Sequence, residues 1–159
     1  MSKVDHPVFG EIEYDLTWDG EWDITFLGEK KGIMLTIRGD NSGDFSEGQV
    51  EVFNKYKDNE SRLLLEAEEA VFNYYLENYL DIREMIGEED ADEVAPHIDS
   101  KEQLKSLVEP TELLIRRVLN DGVRVVGLLF DCSWDTSHGL AVKFEDEHIV
   151  EVGNQDIVL

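Results

Sequence analysis

Two blocks in which apolar and polar residues alternate flank a block in which apolar residues recur every three or four positions. This order constrains the fold more than any other feature of the chain. Strict alternation buries one face of a strand, whereas the longer spacing buries one face of a helix. In the first block Ile12, Tyr14, Leu16 and Trp18 alternate with Glu11, Glu13, Asp15 and Thr17. Asp19-Gly20 follows, a dipeptide that tolerates positive φ and predicts a hairpin turn. Trp22, Ile24 and Phe26 alternate with Asp23 and Thr25, Gly28 to Gly32 read as a second turn, and Ile33, Leu35 and Ile37 mark a third strand.

The period changes after residues 39–44. Ser46 and Gln49 fit a capping box, and Val50, Phe53, Lys57, Leu64, Ala67, Val71, Tyr74 and Tyr75 follow helical spacing. One helix from Ser46 to Ile86 is long for a globular domain, so the polar stretch Lys57-Asp58-Asn59-Glu60 predicts a break or kink. Gly87 is a natural stop. Residues 88–99, acidic and containing Pro96, read as a solvated loop. Ser100 and Gln103 fit a second capping box, opening a short helix to Val108 that Pro110 ends.

In the last block Leu113, Ile115, Val118 and Leu119 lead into Asp121-Gly122, another turn signal. The next strand carries Val126, Leu128, Phe130, Cys132 and Trp134 on one face and Val123, Val125 and Leu129 on the other. That pattern predicts a central strand covered on both sides. Leu140, Val142 and Phe144, then Ile149, Val150 and Val152, mark two more strands. Strands, helices, then strands predict one acidic α+β domain over residues 1–159. It would be an antiparallel sheet of about seven strands, three N-terminal and four C-terminal, with two or three helices on one face.

Charge then narrows the partners. The chain has 37 Asp+Glu against 14 Lys+Arg and a formal net charge of −23. Clustered cations are what neutralise phosphate, so nucleic acid and anionic membrane surfaces are excluded as partners. A hydrophobic content of 42% is enough for a core and argues against disorder. Cys132 is the single cysteine, so no internal disulfide can form. Met1 to Pro7 hold no apolar run of a secretory signal, and Val125 to Phe130 is too short to span a bilayer. The expected location is the cytoplasm.

Reactive groups concentrate in Asp131-Cys132-Ser133-Trp134-Asp135-Thr136-Ser137-His138. A thiol nucleophile needs a base within reach, and His138 is the candidate. Cys132 shares strand parity with Phe130 and Trp134, however, which points it at the core, where burial raises a thiol pKa. Asp131, Asp135 and His138 could ligate a metal, but the spacing matches no closed zinc site, and no two of His6, His97, His138 and His148 lie one helical turn apart. Asp40 to Asp44 with Glu51 echo a calcium loop, yet Phe45 stands where that loop needs glycine. Phosphate-binding glycine motifs are absent. These readings predict no enzyme, no metal and no cofactor. An enzyme or metal-binding domain centred on Asp131, Cys132, Asp135 and His138 is the alternative.

Residues 81–102 carry nine carboxylates and two cations, and Glu66, Glu68, Glu69 and Glu77 precede them. Such a surface solubilises, and it also complements a basic protein. Phe72, Tyr74, Tyr75 and Tyr79 lie among these acids on helical spacing, as packing residues or as an aromatic hot spot. The expected partner-binding residues are Glu66, Glu69, Tyr75, Glu77, Tyr79, Asp81, Glu84, Glu88, Glu89, Asp90, Asp92 and Glu93, on a monomer or weak homodimer.

Two stretches carry a family resemblance. The first is His6-Pro7-Val8-Phe9-Gly10-Glu11-Ile12 with Trp18, Trp22, the strand Ile33 to Ile37 and Gln49. The second is Phe130-Asp131-Cys132-Ser133-Trp134-Asp135, His138-Gly139-Leu140-Ala141-Val142, Val150-Glu151-Val152-Gly153 and Asp156. Together they resemble small bacterial domains of unknown function that end in a Phe-Asp-Cys-x-Trp-Asp…His-Gly-Leu…Val-Gly pattern. The resemblance implies a cytosolic α+β protein, and some such domains are presumed immunity proteins of polymorphic or contact-dependent toxins. Taken with the net charge of −23, it implies a basic toxin domain as the partner.

Overall fold

Both alternating blocks enter one eight-stranded sheet. The computed structural model describes residues 3–15, 17–38, 47–118 and 121–159. Its strands are β1 (Lys3–His6), β2 (Gly10–Asp15), β3 (Thr17–Phe26), β4 (Glu29–Ile37), β5 (Val108–Ile115), β6 (Val125–Cys132), β7 (Leu140–Glu145) and β8 (His148–Gly153), lying in the sheet in chain order. Neighbours are antiparallel except β4 and β5, which run parallel in the register Leu35↔Leu113. Between those two come α1 (Glu47–Ile86), α2 (Glu88–Val94) and a 3₁₀ turn over Lys101–Ser106. A connection of that length is what lets consecutive strands lie parallel. The sheet is therefore mixed, and its N-terminal half holds four strands rather than three.

The first predicted turn is displaced. Asp19-Gly20 lies inside β3, and the chain reverses between Asp15 and Thr17 instead. Such a short reversal preserves side-chain parity, so the alternation through Ile12, Tyr14, Trp18, Trp22, Ile24 and Phe26 runs on unbroken across it. Gly20 serves close approach: a Cβ there would lie 2.9 Å from the Glu11 carbonyl oxygen and from Ile12 Cγ2. The second turn is tighter than predicted, with Leu27 (φ 53) and Gly28 (φ 77) joining the paired residues Phe26 and Glu29. Positive φ at both positions is what a two-residue hairpin of this twist requires.

Helix α1 is continuous over 40 residues, and the expected break at 57–60 does not occur. Tyr56, Leu63 and Leu64 stay buried on either side of that stretch. Glu60 accepts a 2.8 Å hydrogen bond from Trp22 Nε1, Lys57 Nζ lies 5.1 Å from the centre of the Phe53 ring, and Asn59 Nδ2 donates to the Lys55 carbonyl at 2.8 Å. The polar residues are thus held by β3 and by the helix itself. The core on this face joins Trp18, Ile24 and Phe26 to Phe53, Tyr56, Leu64, Val71 and Phe130. Each such side chain contributes roughly 1.5–3 kcal/mol on burial.

At about 60 Å, α1 is longer than the strands it crosses. Its C-terminal part is covered by α2 and the segment after it. The acidic run expected as a loop forms α2 because Arg83 reaches back to it. The guanidinium donates to the carbonyls of Ala91 (3.0 Å) and Ala95 (2.9 Å) and to Asp92 Oδ1 (2.8 Å). Glu88, Glu89 and Asp90 occupy the first turn, where acids favour a helix. Ser100 does start a helical turn, with Gln103 Oε1 accepting from its N–H at 3.0 Å. That turn ends at Ser106, however, and Pro110 sits within β5 beside a register shift.

The opposite face is not bare. A C-terminal 3₁₀ turn, Gln155–Val158, packs Ile157 and Val158 on Leu114, Leu129 and Ala141. Gly127 makes room, since a Cβ there would meet Val158 side-chain atoms at 2.9–3.0 Å. So β6 is covered on both sides, as its two apolar faces predict. The calcium-like loop at 40–44 and the Ser46 cap lie outside the described residues.

Candidate functional site

The expected partner surface is built from the outer side of α1 and from α2. Glu66, Glu69, Glu77, Asp81, Glu84, Glu88, Glu89, Asp90, Asp92 and Glu93 are all exposed. Three are paired: Glu66 with Arg62 at 3.1 Å, Asp92 with Arg83 at 2.8 Å, and Glu69 with Lys101 at 3.2 Å. The other seven form no ion pair among the described residues. Leu65, Leu76, Leu80 and Met85 lie exposed on the same helix. Isolated apolar residues on a surface are ordinary, but here they are interleaved with unpaired charge, the composition of a polar interface with apolar anchors.

Tyr75 does not share the exposure of these carboxylates. It is fully buried, its hydroxyl donates to the Pro96 carbonyl at 2.5 Å, and its ring stacks on Tyr79 and tilts against Trp134. Burial raises its phenol to about 12, and the residue holds the 95–98 segment onto α1. Tyr79 is half-buried, with its hydroxyl 2.9 Å from His97 Nδ1, and keeps an edge at the surface.

Glu68, in the same acidic run, is 4% exposed. Its Oε2 accepts from the Leu27 N–H at 2.8 Å and its Oε1 lies 3.1 Å from Lys101 Nζ. The two carboxylates, Glu68 first and then Glu69, raise the Lys101 pKa. Sequence spacing does not single out Glu68, because its partners are 41 residues before it and well after it in the chain. A second unforeseen group is Glu112 on the face away from α1. Burial raises its carboxyl above the usual range, Thr36 opposes that, Asp19 adds to it and Arg38 opposes it.

The Asp131–His138 segment brings the Asp135 and His138 side chains together but leaves Asp131 and the Cys132 thiol apart from that pair. Asp131 is exposed while Cys132 is buried. The thiol lies 3.5 Å from the Asp135 carbonyl oxygen and is pushed up to about 11 by burial. Asp135 Oδ1 instead takes the backbone N–H of His138 at 3.0 Å and lies 3.2 Å from His138 Nδ1, closing the turn before β7. These bonds, the backbone one foremost, hold the Asp135 carboxyl below its ordinary pKa. Among the described residues no three His, Cys, Asp or Glu side chains gather as a metal site. No helix among them is long and apolar enough to cross a membrane.

An open, mostly antiparallel sheet carrying a long helix on one face defines an α+β protein. The chain belongs to the family described as a domain of unknown function, DUF6985, whose model matches residues 8–159. No curated protein and no solved structure matches it.

Proposed function

We propose that this chain is a non-enzymatic cytoplasmic binding protein that neutralises a basic toxin domain, acting as its immunity protein. The observation that carries the reading is the outer surface of α1 and α2, where Glu77, Asp81, Glu84, Glu88, Glu89, Asp90 and Glu93 are exposed near Leu76, Leu80 and Met85 and form no ion pair among the described residues. Unpaired like charge on one surface costs stability through self-repulsion and is recovered when a positive surface docks. Such a field speeds association by about 10- to 1,000-fold at low salt. The apolar residues supply the desolvated contacts that a tight interface needs at its centre. The resemblance of the Phe130–Asp135 and His138–Val142 stretches to small bacterial domains of unknown function, some of them presumed immunity proteins, supports the same reading.

The test is a pull-down from the native host together with inspection of the neighbouring genes, and co-expression with any basic toxin domain they encode. The chain is expected to restore growth and to form a stable complex. Replacing Glu77, Glu84 and Glu88 together with Lys should slow association by roughly tenfold or more at low salt, with little effect at high salt. Neighbouring genes of ordinary metabolism, with no basic protein bound, would overturn it.

A further inference from the structure

Strand β3 is paired on both sides for only part of its length. The pairing with β2 stops at Glu13↔Asp19, whereas that with β4 continues to Phe26↔Glu29. Gly20 is where β2 leaves, because only a residue without Cβ lets the Glu11 carbonyl pass so close. Phe26 and Glu29 flank a two-residue turn and so form a hydrogen-bonded pair. Counting back in twos, Ile24 and Trp22 also turn their backbone groups to β4. Glu21, Asp23 and Thr25 turn theirs to the open side, where no described strand pairs with them.

Beside this open edge lies a cleft of about 430 Å³ between β3 and α1. Ile24, Leu64 and Leu65 give it apolar walls, and Asp23, Glu60 and Glu68 give it carboxylates. Among the described residues Lys30 is the cation that lines it, highly exposed and 3.7 Å from Asp23. Both oxygens of the buried Glu68 are engaged, by Leu27 and Lys101. The acceptors an incoming cation would meet are therefore Asp23, exposed and paired only at 3.7 Å with Lys30, and Glu60, whose Oε2 also takes the Trp22 indole N–H. We propose that the open edge of β3 at Glu21, Asp23 and Thr25, with the cleft beside it, takes an extended Lys- or Arg-bearing segment of the partner protein as an added strand. This inference rests on the basic-partner reading and gives that partner a second point of attachment. Backbone bonds to the edge supply affinity, and the pockets beside it select the side chains. Aliphatic stems lie along Leu64 and Leu65 while their charged ends meet Glu60 and Asp23. A second copy of this chain is disfavoured, because Glu21 and Asp23 would then face their own equivalents.

Hydrogen exchange on the whole protein tests this, with a Lys-Val-Lys-Val-Lys-Val peptide as probe and the Glu-Val equivalent as control. In the free protein the amides of Asp23 and Thr25 are expected to exchange fast while that of Ile24 is protected. The Lys peptide should slow Asp23 and Thr25 by about tenfold or more, and the Glu peptide should not. Thr25→Pro removes a donor on the open side without touching the β4 ladder and should weaken the Lys peptide about tenfold, whereas Thr25→Val should not. Asp23→Lys, at an exposed side chain, should weaken it too and serves if the proline variant unfolds. Protection of Asp23 and Thr25 in the free protein, or undiminished peptide binding by these variants, overturns the proposal. A Lys peptide that shifts only α1 and α2 signals also overturns it, while leaving the basic-partner reading standing.

Discussion

Glu68 offers the sharpest test of how α1 is tied to the β3–β4 turn. Glu68→Ala removes the acceptor of the Leu27 N–H, now 2.8 Å from Oε2. Leu27 is 6% exposed, so its amide is left without a partner, at a cost of about 1–3 kcal/mol. Leu27 also holds φ 53, a left-handed conformation that costs a leucine on the order of 1–2 kcal/mol, and the bond to Glu68 helps to keep it there. Lys101 retains Glu69 at 3.2 Å, so its charge adds little to the difference. The expected loss is about 2–3 kcal/mol, a large share of the roughly 5–15 kcal/mol that stabilises an ordinary domain. Glu68→Gln keeps a carbonyl acceptor and should lose about 1 kcal/mol. Urea unfolding followed by far-ultraviolet circular dichroism reads both, since α1 dominates the helical signal. An alanine variant no less stable than the glutamine variant would refute the role given to the Leu27 bond.

Two further outcomes follow from burial of ionisable groups. Glu112 has a raised folded pKa, so the folded chain holds this proton to higher pH than the unfolded chain. Stability is therefore lost as pH climbs from the ordinary carboxyl range through the folded pKa. Glu112→Gln should gain stability relative to the parent at pH 7 and gain less at pH 4, in thermal unfolding at both; a pH-independent difference would count against the assignment. Cys132, at about 11, should be alkylated by iodoacetamide at pH 8 more than about 100-fold slower in the folded protein than in urea. Equal rates would mean that the thiol is open and ionisable.

The readable parts of the fold were those set by residues close in the chain. The strand alternation of β4, β6 and β7, the stop at Gly87 and the Gln103 cap all follow from neighbours within a turn or two. The second face of β6 was also visible, because Leu129 is out of phase with Leu128 and Phe130. The misplaced first turn has a local cause as well: the reversal after Asp15 keeps parity, so periodicity could not register it. The candidate surface was legible as composition but not as geometry. The ten expected carboxylates of α1 and α2 do face outward, yet their neighbour Glu68 is buried and Tyr75, on the same helical pattern, is closed over by Pro96 and Trp134.

By itself the amino-acid order determined most of the strands and the long helix, and that the molecule would be acidic. Periodicity and net charge are properties of a chain before it folds. Only the tertiary structure decided that α1 continues through Glu60, that the acidic run becomes α2, that β4 and β5 lie parallel, and that β3 keeps an open edge. Each of these depends on a contact between separate elements that periodicity does not specify: Trp22 to Glu60, Arg83 to Ala95, Leu113 beside Leu35, and Glu11 past Gly20. Their free energies exist only once distant segments share a common core, and no local pattern carries them.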